Sequence, residues 1–399
     1  MNDTTGAPSE PEAARGTAGE VFAAFLKLGL TSFGGPIAQI AMVRQALVER
    51  ERWIDSERFN RLLAVMQALP GPEAHELCVH LGMVARGRIG GLLAGLGFML
   101  PGFLLMMGCG WAYEAFVAGR GETAAVLLGV QIAVLAVIAR AVPKIAAHIL
   151  TTRVLYAFAA IALVATVAGV PFWVPLIVAG LAHATTRHDL AAIVLVALAA
   201  AAAWAFLPRM DVAPTAQAVA PATLLALFGA GLKGGLLTFG GAYTAIPYVR
   251  ADTVGRGWLT DGQFLDGVAI ANVLPAPLVI FATFAGYVAG GPLGALAMTA
   301  GMFLPAFAFS LIFFERLEAV VDDPRLHRLL DGVAAAAVGI IAATLVQLAL
   351  SAWPRIDATP LPALAIFAAA LAAAFAIRRA WAAPAIIAAG GTAGWLLLR

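Results

Sequence analysis

One short motif occurs twice in this chain, each time at a point where it interrupts a long apolar segment. Thr-Ser-Phe-Gly-Gly at residues 31–35 returns as Leu-Thr-Phe-Gly-Gly at 237–241. Two further motifs repeat in the same order and at nearly the same spacing: Leu-Pro-Gly-Pro at 69–72 with Leu-Pro-Ala-Pro at 274–277, and Leu-Pro-Gly-Phe at 100–103 with Leu-Pro-Ala-Phe at 304–307. Repetition in register over about 205 residues indicates two copies of one structural unit.

Composition fixes the environment of these units. Apolar residues make up 62% of the chain and charged residues 12%, with a mean hydropathy of +0.90, whereas soluble domains carry about 25% charged residues. We therefore expect a polytopic membrane protein with the lipid bilayer as its surroundings. The basic residues are scattered and form no basic patch, so nucleic acid is not an expected partner. Cys78 and Cys109 both lie in apolar segments, which predicts neither a disulfide framework nor a metal site or cofactor.

The chain divides into four parts. Residues 1–19 are predicted to be a disordered tail, 20–187 the first repeat, 188–220 a linker, and 221–399 the second repeat. The linker contains an apolar run at 189–207 that has no counterpart in either repeat. One extra span between two units with the same number of segments would insert them in opposite orientations, as in many secondary transporters.

Each repeat contains two segments broken by glycine or proline, residues that disrupt helical geometry. Two topologies remain open, since the broken segments either cross the membrane or re-enter it as hairpins. The re-entrant alternative places Lys and Arg more unevenly on the two sides, in better agreement with the positive-inside rule. The predicted fold class is an all-α polytopic membrane protein, with two inverted repeats, broken or re-entrant helices and about 10–13 membrane segments.

These motifs resemble those of the chromate ion transporter family in its two-domain form, over residues 20–398. The most specific are Leu-Pro-Gly-Pro-Glu-Ala at 69–74 and Gly-Gly-Leu-Leu-Ala-Gly-Leu-Gly-Phe-Met-Leu-Pro-Gly at 90–102. The resemblance implies a multi-pass protein of the cytoplasmic (inner) membrane that exports chromate, in competition with sulfate. Sulfate or another tetrahedral oxyanion is the alternative substrate. One departure is Ala276, which stands where the second Pro-Gly-Pro would have glycine.

The breaks also suit an oxyanion on physical grounds. A helix that starts inside the membrane presents free N–H groups and about half a positive charge, so four such ends would carry roughly +2. The alternative is that the small residues only allow close helix packing. The candidate substrate-binding residues are Lys27, Ser32, Phe33, Gly34, Gly35, Gln67, Pro70, Gly71, Pro72, Glu73, Lys233, Thr238, Phe239, Gly240, Gly241, Asn272, Pro275 and Pro277.

Two lysines lie within the broken segments. Lys27 and Lys233 each precede the first glycine of their break by about two helical turns, and so share a face with it. A cation inside the membrane is costly and is by default a functional candidate. The alternative is that each side chain extends along the helix to the membrane surface.

The segment after Pro72 is the most polar part of the chain. Glu73, Glu76 and His80 lie near one helix face and are candidates for proton coupling. The alternative is that they cap the helix and face a wet cavity. His75 and His80 are five residues apart, which does not match the spacing of a zinc-protease motif.

Neither repeat offers a nucleophile–base pair or a metal triad, so we do not expect an enzyme. A scaffold or lipid-scrambling protein is the remaining alternative, although a scaffold would not need paired broken helices. A homodimer is a candidate assembly.

Overall fold

The computed structural model describes residues 17–398, except 34, 57, 60–61, 64–65, 67–70, 118–119, 187, 208–220, 239–241, 322–323, 358, 378 and 380. The described residues form helices and turns and contain no strand. Among these described residues, five segments are long and apolar enough to cross a membrane: Glu73–Phe116, Ala124–Ile149, Asp189–Phe206, Leu278–Ile312 and His327–Ile356. Large apolar side chains such as Leu225 and Ile89 point outward, as a lipid environment requires. The prediction of an all-α polytopic membrane protein is confirmed.

The helices follow the repeat. The first repeat contains α1 (Ala18–Thr31), α2 (Gly35–Arg44), which continues as a π-helix (Gln45–Arg50), α3 (Glu73–Phe116), α4 (Ala124–Ile149), α5 (Arg153–Val167) and α6 (Trp173–Thr185). The apolar run of the linker forms α7 (Asp189–Phe206). The second repeat contains α8 (Leu224–Leu236), α9 (Ala245–Thr253), α10 (Asp261–Val273), α11 (Phe281–Val321), α12 (Pro324–Ile356), α13 (Pro360–Ala376) and α14 (Ala382–Leu397).

Threonine side chains set the start of several helices. The Thr17 side chain accepts a hydrogen bond from the Glu20 amide at the start of α1, and the Glu20 carboxylate accepts one from the Thr17 amide. Thr260 and Gln263 form the same reciprocal pair at the start of α10. In α8 the Thr223 side chain accepts from the Ala226 amide. These caps satisfy amides that have no partner within the helix.

Two of the long helices are in fact hairpins. In α3 the backbone leaves helical geometry at Arg86 (φ −151°, ψ 35°) and Gly87 (φ 58°, ψ −156°). In α11 it does so at Gly290 (φ −154°, ψ 24°) and Gly291 (φ 64°, ψ −159°). The positive φ favours glycine at the second position of both turns. Matching angles at matching positions show that the two repeats share this local structure.

Each turn lets a short arm fold back on a long arm. In α3 the arms are 73–85 and 88–116, and Gly82 packs directly against the carbonyl of Gly90. In α11 they are 281–289 and 292–321, with Gly286 against the Gly294 carbonyl. A short arm of 13 residues rises about 20 Å, less than the ~30 Å of the hydrocarbon core. A short arm of this length therefore does not cross the hydrocarbon core on its own.

The helices pack into two bundles, and each bundle contains corresponding elements of both repeats. In the hairpin bundle α1 packs on α3, α8 packs on α11, and α3 packs on α11. In the companion bundle α5 and α6 pack on α12, α13 and α14 pack on α4, and α7 lies beside α5 and α6. The last helices of each repeat therefore pack on the other repeat.

Glycine permits these exchanged contacts. Gly129 of α4 lies against Gly390 and Gly394 of α14, and the corresponding Gly332 of α12 lies against Ala179 and Gly180 of α6. A Cβ atom at either position would collide with the backbone of the neighbouring helix. Small residues at such crossings let membrane helices approach closely.

Candidate functional site

The first break of the first repeat contacts the second break of the second repeat. Helix α1 ends at Thr31, and α2 begins at Gly35. Gln39, which is buried in α2, donates its side-chain amide to the Ser32 carbonyl at 3.1 Å and to the Ala276 carbonyl at 2.8 Å. One side chain thus ties its own break to the Leu-Pro-Ala-Pro break of the other repeat.

The remaining two breaks are joined by the backbone. The Gly71 amide donates to the Thr238 carbonyl at 2.8 Å. Gly71 has a φ of 151°, a conformation that residues with a side chain rarely adopt. Because this pairing also crosses between the repeats, segments from all four breaks meet in two cross-repeat pairs. The sequence predicted the breaks, and the structure brings their described residues together.

A helix or a 3₁₀ turn starts directly after the second break of each repeat. Helix α3 starts at Glu73 after Pro72, and the His75 and Glu76 amides both donate to the Pro72 carbonyl. In the second repeat α10 ends at Val273, and a 3₁₀ turn at Leu278–Ile280 precedes α11. The first residues of such helices carry partial positive charge. Ala276 does not remove the second break, because the chain leaves helical geometry there as it does at Pro72.

The short arm of α3 is buried along its polar side. Glu73, His75, Glu76 and His80 are each at most 8% exposed. Within the described part of the chain, both carboxylate oxygens of Glu76 lack a hydrogen-bond partner, and this side chain lies against Gly71. A buried, unbonded carboxylate is costly in its charged form. Glu76 is therefore the proton-coupling candidate that the geometry singles out.

His75 has a different environment from Glu76. Its Nε2 lies 3.2 Å from the Gly95 carbonyl on the long arm of α3. Its ring makes edge contacts with Phe303 and Phe307 of α11, at centroid distances of 4.8 and 4.9 Å. This histidine joins the two hairpins by packing, which the sequence interpretation did not foresee.

The two candidate lysines differ in their surroundings. Lys27 lies at an exposed position of α1. The Lys233 ammonium lies 2.9 Å from an Asp252 carboxylate oxygen and 4.9 Å from the centre of the Phe172 ring. Asp252 also pairs with Arg256 at 3.2 Å. Lys233 therefore forms an ion pair with Asp252. Sequence spacing did not indicate this pairing.

The other predicted site residues fall into two groups. Among the described ones, Ser32 and Thr238 are buried at the breaks, Phe33 is exposed, and the Asn272 side chain accepts from the Tyr243 hydroxyl at 3.1 Å. Gly35 begins α2, while Pro275 and Pro277 lie in the second break of the second repeat. Six predicted residues lie outside the described part of the chain: Gly34, Gln67, Pro70, Phe239, Gly240 and Gly241.

Sequence reasoning missed Gln39 and Tyr243. Both are polar residues that lie soon after the Phe-Gly-Gly motif of their own repeat, at 39 and 243. The available signal was a polar residue in an otherwise apolar stretch beside a break, since such residues are rare inside membranes. The sequence does not indicate that they bond to Ala276 and Asn272, respectively.

Comparisons with known proteins agree with the repeat structure. A family model described as "Chromate transporter" matches residues 19–186 and 225–395. A "Chromate transport protein" of Pseudomonas aeruginosa is 55% identical over 383 residues, covering 95% of this chain and 92% of the relative. A "Chromate transport protein" of Cupriavidus metallidurans is 30% identical, over 87% of this chain and 86% of the relative.

A third relative extends the comparison. A "Probable chromate transport protein" of Synechococcus elongatus is 32% identical over 81% of this chain and 82% of its own length. No solved structure gives a significant match. Since the family model covers both repeats and the relatives align along most of their length, this chain belongs to the chromate transporter family, whose members are transporters and not enzymes.

Proposed function

We propose that this protein exports chromate across the cytoplasmic membrane and binds the anion at the helix breaks between its two repeats. The observation that carries the proposal is the cross-repeat pairing of the breaks, through Gly71 with Thr238 and Gln39 with Ala276. These contacts gather broken helices near the boundary of the repeats, which is where secondary transporters bind their substrates. The family supplies the substrate class.

The chemistry of the breaks suits a tetrahedral dianion. Chromate offers several equivalent acceptor oxygens and no donor, and free backbone N–H groups at helix starts are donors of fixed geometry. Lys233 adds a positive charge within two turns of its break. Sulfate has the same charge and shape, so another tetrahedral oxyanion is the alternative substrate of the same site.

Glu76 links anion binding to protonation in this proposal. An ionised Glu76 beside Gly71 would repel a dianion, so the anion binds to the form in which Glu76 carries a proton. Glu73, His75, Cys78 and His80 are the other titratable groups on the same arm. A dianion and one proton carry a net charge of −1. A membrane potential that is negative inside therefore drives export, by about 2.3 kcal/mol per 100 mV.

Alternating access completes the proposal, with the two repeats inserted in opposite orientations. Its support is the repeated pair of hairpins, separated by the single unpaired helix α7. Inverted units that exchange conformations can expose one central site to each side in turn.

Uptake into everted membrane vesicles tests this function. Vesicles with the protein should accumulate chromate. Unlabelled sulfate should lower that accumulation if the two anions compete for the site. A proton-gradient collapser should change the accumulation if transport is coupled to protons. Accumulation of sulfate without chromate would favour the alternative substrate. No anion accumulation by protein that is present in the membrane would refute the proposal.

The role of Glu76 has its own test. Chromate binding to the parent should weaken as pH rises, whereas Glu76→Gln should bind with little pH dependence because it cannot lose a proton. Glu49→Gln, at an exposed position of the π-helix, is the matched control and should keep the parent profile. A parent-like pH profile in Glu76→Gln would remove this residue from the coupling mechanism.

A further inference from the structure

A chain of hydrogen bonds lies outside the site described above. The Tyr113 hydroxyl donates to Asp266 Oδ2 at 2.9 Å, and the Gln131 amide donates to Asp266 Oδ1 at 2.9 Å. Arg355 then donates to the side-chain oxygen of Gln131 at 2.7 Å. Asp266 is 3% exposed, so a charge-bearing group sits in the interior with a donor on each oxygen.

These bonds connect the two bundles. Tyr113 belongs to the long arm of α3 in the hairpin bundle, while Gln131 of α4 and Arg355 of α12 belong to the companion bundle. Asp266 lies in α10 between them and packs beside α4. Each of the three bonds also joins one repeat to the other. Asp266 is the group on which both bundles converge.

Helix α10 carries this connection to the breaks. Asn272, which bonds to Tyr243, lies on the same helix as Asp266, and α10 ends at Val273. The Leu-Pro-Ala-Pro break follows at 274–277. A single helix of 13 residues is rigid over this length, so holding Asp266 also holds the start of the break.

The first repeat cannot build the same connection. In the repeat register, Arg61 stands where the second repeat has Asp266, and Ala334 stands where the first repeat has Gln131. If the repeats exchanged conformations during transport, the network would break and no equivalent network would replace it. Under such an exchange the network exists in only one of the two conformational states.

We propose that Asp266 is a positioning residue that clamps α10, and with it the adjoining break, between the two bundles in the state seen here. Release of the Tyr113 and Gln131 bonds then accompanies the change to the alternative state. This inference rests on the proposed function for the exchange of conformations between the repeats, while the labelling measurement below tests the clamp without transport activity.

Two native cysteines make a direct test. Cys109 is half-buried on the long arm of α3, one helical turn before Tyr113, and Cys78 is fully buried in the short arm. Loss of the clamp should let the end of this arm separate from α10 and expose Cys109. N-ethylmaleimide labelling measures that exposure, while Cys78 in the same molecule reports general loss of the fold.

The variants are Tyr113→Phe and Asp266→Asn, with Tyr248→Phe as control. Tyr248 is also fully buried, but its hydroxyl makes no hydrogen bond within the described part of the chain. Tyr113→Phe and Asp266→Asn should raise the Cys109 labelling rate at least fivefold, leave Cys78 unlabelled, and lower the maximal chromate transport rate more than they change KM. Tyr248→Phe should match the parent in both assays.

The outcomes separate the two proposals. If Tyr113→Phe labels and transports like Tyr248→Phe, the clamp is refuted, whatever Asp266→Asn does. If Asp266→Asn exposes Cys78 and has thus lost its fold, Tyr113→Phe alone decides. If the parent moves no chromate but the variants label faster than the parent, the clamp is supported and the proposed function is refuted. If the parent transports chromate but the variants label at the parent's rate, the proposed function is supported and the clamp is refuted.

Discussion

The Lys233–Asp252 pair makes opposite predictions for two single substitutions. If Lys233 helps to neutralise a bound oxyanion, Lys233→Gln should weaken chromate binding because a positive charge near the break is lost. Asp252→Asn should strengthen binding, because it removes the carboxylate that lies 2.9 Å from the ammonium and competes with the anion. Arg256 remains beside position 252 in both variants.

The size of the effect follows from the distance and the exposure. Two unit charges 2.9 Å apart attract by about 1.4 kcal/mol in bulk water and about 6 kcal/mol at an effective dielectric constant of 20. The Lys233 side chain is 40% exposed, and exposed pairs contribute about 1 kcal/mol or less. Because the Lys233 side chain is exposed, the interaction energy lies at the low end of this range. Against a dianion, which carries twice the charge, we expect a loss of about tenfold in affinity, or about 1.4 kcal/mol.

Titration calorimetry with chromate on purified protein, at low and high salt, measures both variants. Lys144→Gln, at an exposed position of α4, is the control for a general loss of positive charge and should bind as the parent does. Because mobile ions screen exposed charges, the difference between parent and Lys233→Gln should shrink at high salt. Unchanged binding in Lys233→Gln at both salt concentrations, or a shift of Lys233→Gln and Asp252→Asn in the same direction, would refute the argument.

Three further predictions test packing, topology and the breaks. A Cβ atom on Gly235 would collide with the Met302 carbonyl, whereas one on Gly229 of the same helix would meet no atom within 4 Å. Both alanine variants share the gain in helix propensity, so Gly235→Ala should unfold more easily than Gly229→Ala in mixed micelles, by about 1–3 kcal/mol of overpacking; equal stability would contradict the close helix contact. Cysteines introduced beside Trp53 and Trp258 should react with impermeant reagents from opposite membrane faces, and labelling from one face would exclude inverted repeats. Gly34→Val should abolish chromate transport while the protein stays in the membrane, since a β-branched residue is restricted where glycine is not; normal transport would remove the substrate from that break.

Local features of the fold were predictable because local residues cause them. The glycine and proline motifs predicted breaks at 34–35 and 70–72. In the structure α1 ends at Thr31 and α3 starts at Glu73, within a few residues of those breaks. The turn at Gly87 needs a positive φ, which glycine adopts readily. Its consequence, that the short arm folds back on the long one, depends on contacts such as Gly82 with Gly90.

The interior contacts of the candidate site were not predictable in the same way. Gln39 bonds to Ala276 across most of the chain, and Lys233 pairs with Asp252 on the far side of a break. Neither partner follows from helical periodicity, which reports neighbours only a few residues apart. The sequence supplied the polar candidates, and tertiary packing alone determines which of them meet.

The exchange of helices between repeats has a consequence for how the protein is made. When α4, α5 and α6 leave the ribosome, the helices on which they pack, α12 to α14, are still about 200 residues from synthesis, a delay of roughly 10–40 s at 5–20 residues per second. During that interval Gly390 and Gly394, against which Gly129 packs in the full chain, have not yet been synthesised. The first half made alone should therefore be degraded in the cell, and supplying the second half as a separate chain should rescue it, which pulse-chase measurements of its lifetime would show.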